Sequence, residues 1–351
     1  MSDYPLSAIA MPAEDPSPIF ECIRGNYATE MLAAAVAHFK VFELLKGGPI
    51  SFNNLRRKMG LAERPASVLL TAVKAMGLVS KDEDERLRLT PIALAHLAGG
   101  PFDVADYLGL NGQSAGVLEM VKRLKSNSAA NADNETGAAF IYREGIESAM
   151  EKEGQARALT LALAGRSRNI APVLAHKVPM DKATMLLDVG GGTGIYSIAM
   201  LQKNPTLRAI VWDRPEVLKV AAEMGAAYGV LSRLELREGD MFTDPVPTGA
   251  DTILLSNILH DWDVPQCRIL VARLAEALRS GGRMLIHDAL LNDELDGPLP
   301  VALYSAALFS LTEGRAYSGA EYAEWLTEAH LTVGETIPTL IHCSVIVAIK
   351  P

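Results

Sequence analysis

Cysteine is scarce in this chain: three among 351 residues, with Cys22, Cys267 and Cys343 far apart. An odd number without metal-ligand spacing fits a reduced, intracellular protein rather than a disulfide scaffold. Basic residues are also in the minority, 33 Lys and Arg against 42 Asp and Glu, for a net charge of −9. That balance removes any global electrostatic case for binding nucleic acid. No apolar run reaches the ~18–20 residues of a membrane span without a polar break. The opening residues, MSDYPLSAIAMPAEDPSPIF, lack a basic segment and do not read as a signal peptide, so the cytoplasm is the expected location. What is present is ordinary core material, 49% hydrophobic and 21% charged. The length allows two domains of roughly 100–200 residues each.

Residues 1–17 read as a flexible arm. From Pro18, IFECIRGNYATEMLAAAVAHFKVFELL has the pattern of one long helix, too apolar for a lone surface helix. Beyond it the pattern predicts a helix over Phe52–Met59, a turn at Gly60, a second helix over Pro65–Met76 and a hairpin with a charged tip. Helix–turn–helix–wing order opens a DNA-binding reading, with Arg56, Arg57 and Lys58 beside it. Against it, Asp82–Glu85 would repel phosphate at the wing, and the second helix offers almost no side chains that read bases. Its apolar residues fit dimer packing better. Residues 18–100 are therefore a winged-helix-like domain, and 101–180 a helical connecting and pocket region. The latter contains KSNSAANADNETGAA, residues 125–139, a stretch with the composition of a mobile loop. From Thr184 the texture changes. Strands MLLDVGGG, RAIVWD, LELREGD, DTILLSN, GRMLIHDAL and CSVIVAIK alternate with helices, which predicts a doubly wound, mostly parallel sheet over 181–351.

The first of those strands ends in a glycine-rich turn, with Gly190, Gly192 and Gly194 spaced G-x-G-x-G. Glycines allow left-handed dihedrals and close approach of a ligand, and ligands in such sheets bind beyond the strands' carboxyl ends. The dinucleotide pattern G-x-G-x-x-G fails, because Ile195 stands where the third glycine belongs. The run beginning at Asp188, D-x-G-G-G-x-G, instead resembles the S-adenosylmethionine (SAM) loop of class I methyltransferases. Asp213, about 20 residues after the loop, is placed for a carboxylate accepting ribose hydroxyls. Nicotinamide enzymes share that acid, so alone it does not discriminate.

DVGGGTG, DRPEV, GDMF, NILHDWD with a following Cys267, and SGGRMLIHD occur in one order. Together they resemble the small-molecule O-methyltransferases, which include plant caffeate and flavonoid enzymes, acetylserotonin methyltransferase and bacterial natural-product enzymes. The resemblance covers about residues 20–351. It implies a Rossmann-like class I methyltransferase domain, mostly parallel with an antiparallel C-terminal strand, and an N-terminal helical winged-helix-like domain that forms a homodimer. It implies SAM as cofactor, S-adenosylhomocysteine as product, and a small-molecule acceptor, with neither nucleic acid nor membrane as partner. Asp188, the three glycines, Asp213 and Arg214 would hold the donor. Asp240, Met241 and Phe242 would enclose its adenine. Ser256 stands where a lysine often lies four residues before the base.

His260 matches the position of the family's base, and Asp288 that of the carboxylate that orients it. A phenol or enol proton is within reach of a histidine titrating near neutrality. Ala316 stands where a second family carboxylate would be, in the segment EGRAYSG. Asp261 and Trp262 read as loop architecture. The acceptor pocket is expected around Phe140, Met150, Asn257, Tyr304 and Phe309. Three alternatives remain open at this point. His260 could merely cap the next helix; His260, Asp261 and His287 could hold a metal for C-methylation of an activated carbon; or the chain could be a SAM-binding or DNA-binding regulator without turnover.

Overall fold

In the computed structural model, which describes residues 6–128 and 153–351, the apolar stretch after Pro18 does not run as one helix. It breaks into α1 (Ser17–Arg24), α2 (Asn26–Ala33), a π-turn over Ala34–His38, and α3 (Val41–Leu45). Lys40, in the left-handed region at φ 51°, separates the last two pieces. The predicted single helix is thus corrected to three, which lets Met31, Ala35 and Phe42 all reach one core. That core belongs to the first of two compact units, residues 18–128 with 291–318.

Within this unit α4 (Phe52–Met59), Gly60 at φ 68° and α5 (Glu63–Ala75) follow the expected order. The hairpin is β1 (Val79–Lys81) with β2 (Leu87–Leu89), closed by Asp82, whose Oδ1 accepts the amides of Asp84 and Arg86. Ten residues of α5 are buried, Arg64 and Lys74 among them. A helix so enclosed presents no reading face to a DNA groove, which removes the physical basis of the DNA-binding alternative. Three further helices, α6 (Pro91–His96), α7 (Ala105–Gly109) and α8 (Ala115–Ser126), complete the described N-terminal part.

The second unit takes residues 6–17, 153–290 and 319–351. After α9 (Glu153–Lys177) come β3 (Met185–Val189), α10 (Ile195–Lys203), β4 (Arg208–Asp213), α11 (Pro215–Ala227) and β5 (Leu234–Glu238). Then follow β6 (Thr252–Ser256), α12 (Val264–Ala277) and β7 (Arg283–Ala289). Next in the chain, α13 (Leu299–Leu311) belongs to the first unit, and α14 (Gly319–Glu328), β8 (Thr332–Pro338) and β9 (Cys343–Ile349) return to the second. The sheet order is β5-β4-β3-β6-β7-β9-β8. β5 through β7 are parallel, whereas β9 runs antiparallel to both β7 and β8. Strand β8 was not anticipated. Chain order reverses between β3 and β6, so a crevice opens at their carboxyl ends.

Residues 6–16 carry no helix or strand, but the arm is anchored rather than loose. The Leu6 amide donates to the Ala227 carbonyl at 3.1 Å, and Gln202 Oε1 accepts the Ala8 amide at 2.7 Å. No helix among the described residues is long and apolar enough to cross a membrane.

Candidate active site

The turn that leaves β3 needs its glycines. Gly190, Gly192 and Gly194 have φ of 62°, 60° and 70°, a region that L side chains rarely adopt. A Cβ on Gly190 would lie 2.6 Å from Ile258 Cδ1, whereas one on Gly192 would meet nothing within 4 Å. The loop is therefore tight on its protein side and open to a ligand at Gly192. The Gly192 amide donates to Asp213 Oδ2 at 2.8 Å, and the Arg214 amide to Asp213 Oδ1 at 2.7 Å. Each oxygen keeps a lone pair for a hydroxyl donor. Asp240, after β5, organises the next turn by accepting the Phe242 and Thr243 amides, and its Oδ2 faces Arg214 Nη2 at 3.3 Å. Met241 is half-buried in that turn, and the Phe242 ring meets Trp262 edge-on, centroids 4.6 Å apart.

Asp188 lies beneath the loop, 1% exposed. Its Oδ2 accepts Ser197 Oγ at 2.7 Å, while Oδ1 is buried without a hydrogen-bond partner. Burial, reinforced by the Asp213 carboxylate, pushes Asp188 up to about 7. An orphaned buried carboxylate oxygen and a second acid under an open glycine turn suit a ligand with cationic groups and ribose hydroxyls.

On the other side of the crevice, Asn257 (φ 58°) leads the chain out of β6 into a 3₁₀ turn, Leu259–Asp261. Cys267 Sγ anchors that turn on the Leu259 carbonyl at 3.1 Å. His260 is 4% exposed, and its Nδ1 donates to Asp288 Oδ1 at 2.5 Å. With the proton committed to Nδ1, the lone pair sits on Nε2, which lies 3.6 Å from Asp261 Oδ1. Burial opposes a charge on His260, but the Asp288 and Asp261 carboxylates outweigh it and raise the imidazole above its ordinary value. For Asp288, burial is outweighed by His260 and by hydrogen bonds, including the Ala289 amide at 2.7 Å, and the carboxyl is lowered. Burial pushes Asp261 up to about 6. The helix-cap alternative fails on geometry, because α12 is capped by Asp263, whose side chain accepts the Val264 amide.

A family model for the O-methyltransferase domain matches residues 132–331, more than half of the chain. The chain belongs to this family. It is 34% identical over 333 residues to the 3-hydroxy-5-methyl-1-naphthoate 3-O-methyltransferase of Streptomyces sahachiroi, covering 92% of this chain and 91% of that one. It is 47% identical to an O-methyltransferase family 2 protein from Planctomyces limnophilus, solved in complex with apigenin; the TM-score is 0.89, and 99% of this chain and 100% of that one are covered. Human N-acetylserotonin methyltransferase, solved with SAM, shares the fold at 22% identity and a TM-score of 0.56 over 97% and 99% of the two chains. The protein is a SAM-dependent O-methyltransferase with a Rossmann-like class I catalytic domain.

Other expected residues of the methyltransferase fall differently. His287 does not join His260; alternation along β7 turns it to the opposite face from Asp288. Its Nε2 donates to Thr339 Oγ1 at 2.9 Å, and its Nδ1 accepts from Ser256 Oγ at 2.8 Å. Burial pushes it down to about 3. Both ring nitrogens are used, so the metal set His260–Asp261–His287 is corrected, and no group of three His, Cys, Asp or Glu residues suited to a metal occurs among the described residues. Asn257, also expected in the acceptor pocket, is a hub of hydrogen bonds. Its Oδ1 accepts from Arg166 Nη1 at 2.7 Å, and its amide donates to Ser256 Oγ at 3.1 Å and Tyr196 Oη at 3.3 Å.

Tyr304 and Phe309 lie on α13 in the first unit. Phe309 is fully buried in that unit's core with the Arg64 guanidinium 4.6 Å from its ring, so its pocket assignment is corrected to packing. Half-buried Tyr304 carries the Arg24 guanidinium at 3.8 Å. Phe140, Met150 and residues 129–139 of the expected loop fall outside the described residues. Sequence reasoning missed Arg166 and Tyr322. Arg166 stands on α9 with no motif around it. Tyr322 Oη donates to Asp288 Oδ2 at 3.0 Å.

Proposed function

We propose that the protein methylates a phenolic hydroxyl of a small, flat aromatic acceptor, with His260 as general base and Asp288 as its orienting acid. The observation that carries this reading is the 2.5 Å bond from His260 Nδ1 to Asp288 Oδ1, which leaves the Nε2 lone pair as the basic position. When bound, SAM supplies an electrophilic sulfonium methyl group. The open glycine turn, Asp213 and Asp240 would hold its nucleoside, and Asp188 would face its cationic end. His260 removes the acceptor proton, and Asp288 and Asp261 stabilise the resulting imidazolium. Alignment of acceptor and donor supplies the remainder of the rate.

The hydroxynaphthoate named for one relative and the apigenin bound by another are both planar phenols, and they support this acceptor class. The same proposal assigns 18–100 to homodimerisation, 101–180 to the acceptor pocket and 181–351 to SAM. Exposed Ile23, Phe102, Tyr107 and Leu110 in the N-terminal unit support an apolar interface with a second copy. The test is methyl transfer from isotopically labelled SAM to apigenin and to 3-hydroxy-1-naphthoate, with the product examined by NMR. A labelled O-methyl group is expected. A new carbon-bound methyl group would replace the reading with C-methylation, and no transfer to either phenol would overturn the acceptor class.

A further inference from the structure

We infer that Tyr322 is a positioning residue for the base, holding the second oxygen of Asp288 and thereby setting the orientation and strength of His260. The inference rests on the reading of His260 as base. Asp288 is 1% exposed, and its two oxygens are used unequally. Oδ1 accepts both His260 Nδ1 and the Ala289 amide, whereas Oδ2 accepts Tyr322 Oη. A carboxylate held at one oxygen only is free to rotate about its Cβ–Cγ bond; held at both, it presents Oδ1 to the imidazole in one orientation.

The donor is itself rigid. Tyr322 is fully buried in the first turn of α14, and its ring meets Trp325 edge-on, with centroids 5.3 Å apart and planes at 87°. A buried tyrosine hydroxyl needs some acceptor, and a structural role would be satisfied by any carbonyl. This one instead donates to an ionised carboxylate, which is a stronger bond and draws negative charge away from the atom that faces His260. The groups that set the charge on His260 come from four elements: Asp261 on its own turn, Asp288 on β7, Arg166 on α9 and Tyr322 on α14. Without the Tyr322 hydroxyl, more of the Asp288 charge rests on Oδ1 beside the imidazole, which favours the imidazolium. The base then frees its lone pair only at higher pH.

The test is titration of histidine ring signals by NMR in the full chain, comparing wild type with Tyr322→Phe, and with His260→Ala to assign the signal. Tyr322→Phe is expected to move the His260 midpoint up by about half to one pH unit. The acidic limb of turnover on apigenin should move with it, with partial rescue as pH rises and unchanged SAM affinity. Replacing Tyr322 by 3-fluorotyrosine preserves the ring and strengthens the donor, and should move the midpoint down. A His260 midpoint unmoved in both variants, even with a lowered melting temperature, would reduce Tyr322 to packing. If His260→Ala itself turned over normally, the base reading would fail, while the titration would still decide the coupling.

Discussion

Arg166 Nη1 reaches Asn257 Oδ1 at 2.7 Å from a helix 91 residues earlier, while its Nη2 lies 2.9 Å from Cys343 Sγ. Asn257 in turn touches Ser256 at the tip of β6 and Tyr196 in the first turn of α10, just past the glycine loop. One guanidinium thus braces both walls of the crevice. Ser256, where the resemblance implies a lysine, instead donates to His287 Nδ1 at 2.8 Å. Arg166→Ala should weaken SAM binding about tenfold, the scale of losing a charged hydrogen bond with a buried partner. Arg166→Lys should recover little, since an ammonium cannot span two acceptors as a fork does. Calorimetry checks this, and unchanged affinity in the alanine variant would sink the bracing role.

Removing the imidazole isolates the chemistry from donor capture. His260→Ala should lower turnover on a phenol about a hundredfold or more, the usual scale for a general base. SAM affinity should be retained. Rates within a few-fold of wild type would mean that the proton leaves by another route.

The carboxylates around His260 fix the sign of the pH dependence. Because they raise the imidazole above its ordinary value of 6.5, activity should fall as pH drops through a midpoint above that value. Asp261→Asn removes one of the two charges that favour the imidazolium, so the acidic limb should shift toward lower pH. A pH–rate profile decides the matter; an upward shift would contradict the electrostatic account.

Gly190→Ala combines a left-handed φ of 62° with a Cβ 2.6 Å from Ile258 Cδ1. The strain should cost about 1–3 kcal/mol, appearing as a lower melting temperature and weaker SAM binding. Gly192→Ala, with open space at its Cβ, should lose less stability while still obstructing the ligand side. Equal melting temperatures for the two variants would argue against the steric reading of Gly190.

The glycine turn and the acid proposed to hold the donor were legible because their demands on the backbone are local. A turn at positive φ calls for glycine, and a parallel strand ends in an acid at a fixed spacing, so Gly190, Gly192, Gly194 and Asp213 stand out in a single reading. His260 and Asp288 came instead from resemblance, since nothing in the spacing of residues 28 apart announces a pair. Tyr322 and Arg166 escaped because helices deliver them from distant parts of the chain, with no pattern of their own. Phe309 went astray for the opposite reason: an apolar residue on an apolar helix reads alike whether it lines a pocket or fills a core. Strand β8 was missed because TVGETIP is half-exposed at a sheet edge and lacks the apolar run of its neighbours. Lys40 in a left-handed conformation broke a helix that composition alone would have continued.

The seam between β3 and β6 divides the labour of the sheet. The glycine turn, Asp213 and Asp240 stand at the tips of β3, β4 and β5; His260 and Asp288 stand at the tips of β6 and β7. On the proposed reading, capture of the donor and removal of a proton fall to separate halves of the sheet. On that reading, replacing His260 or Asp288 would alter proton removal while leaving in place the glycine turn, Asp213 and Asp240 proposed to hold the donor.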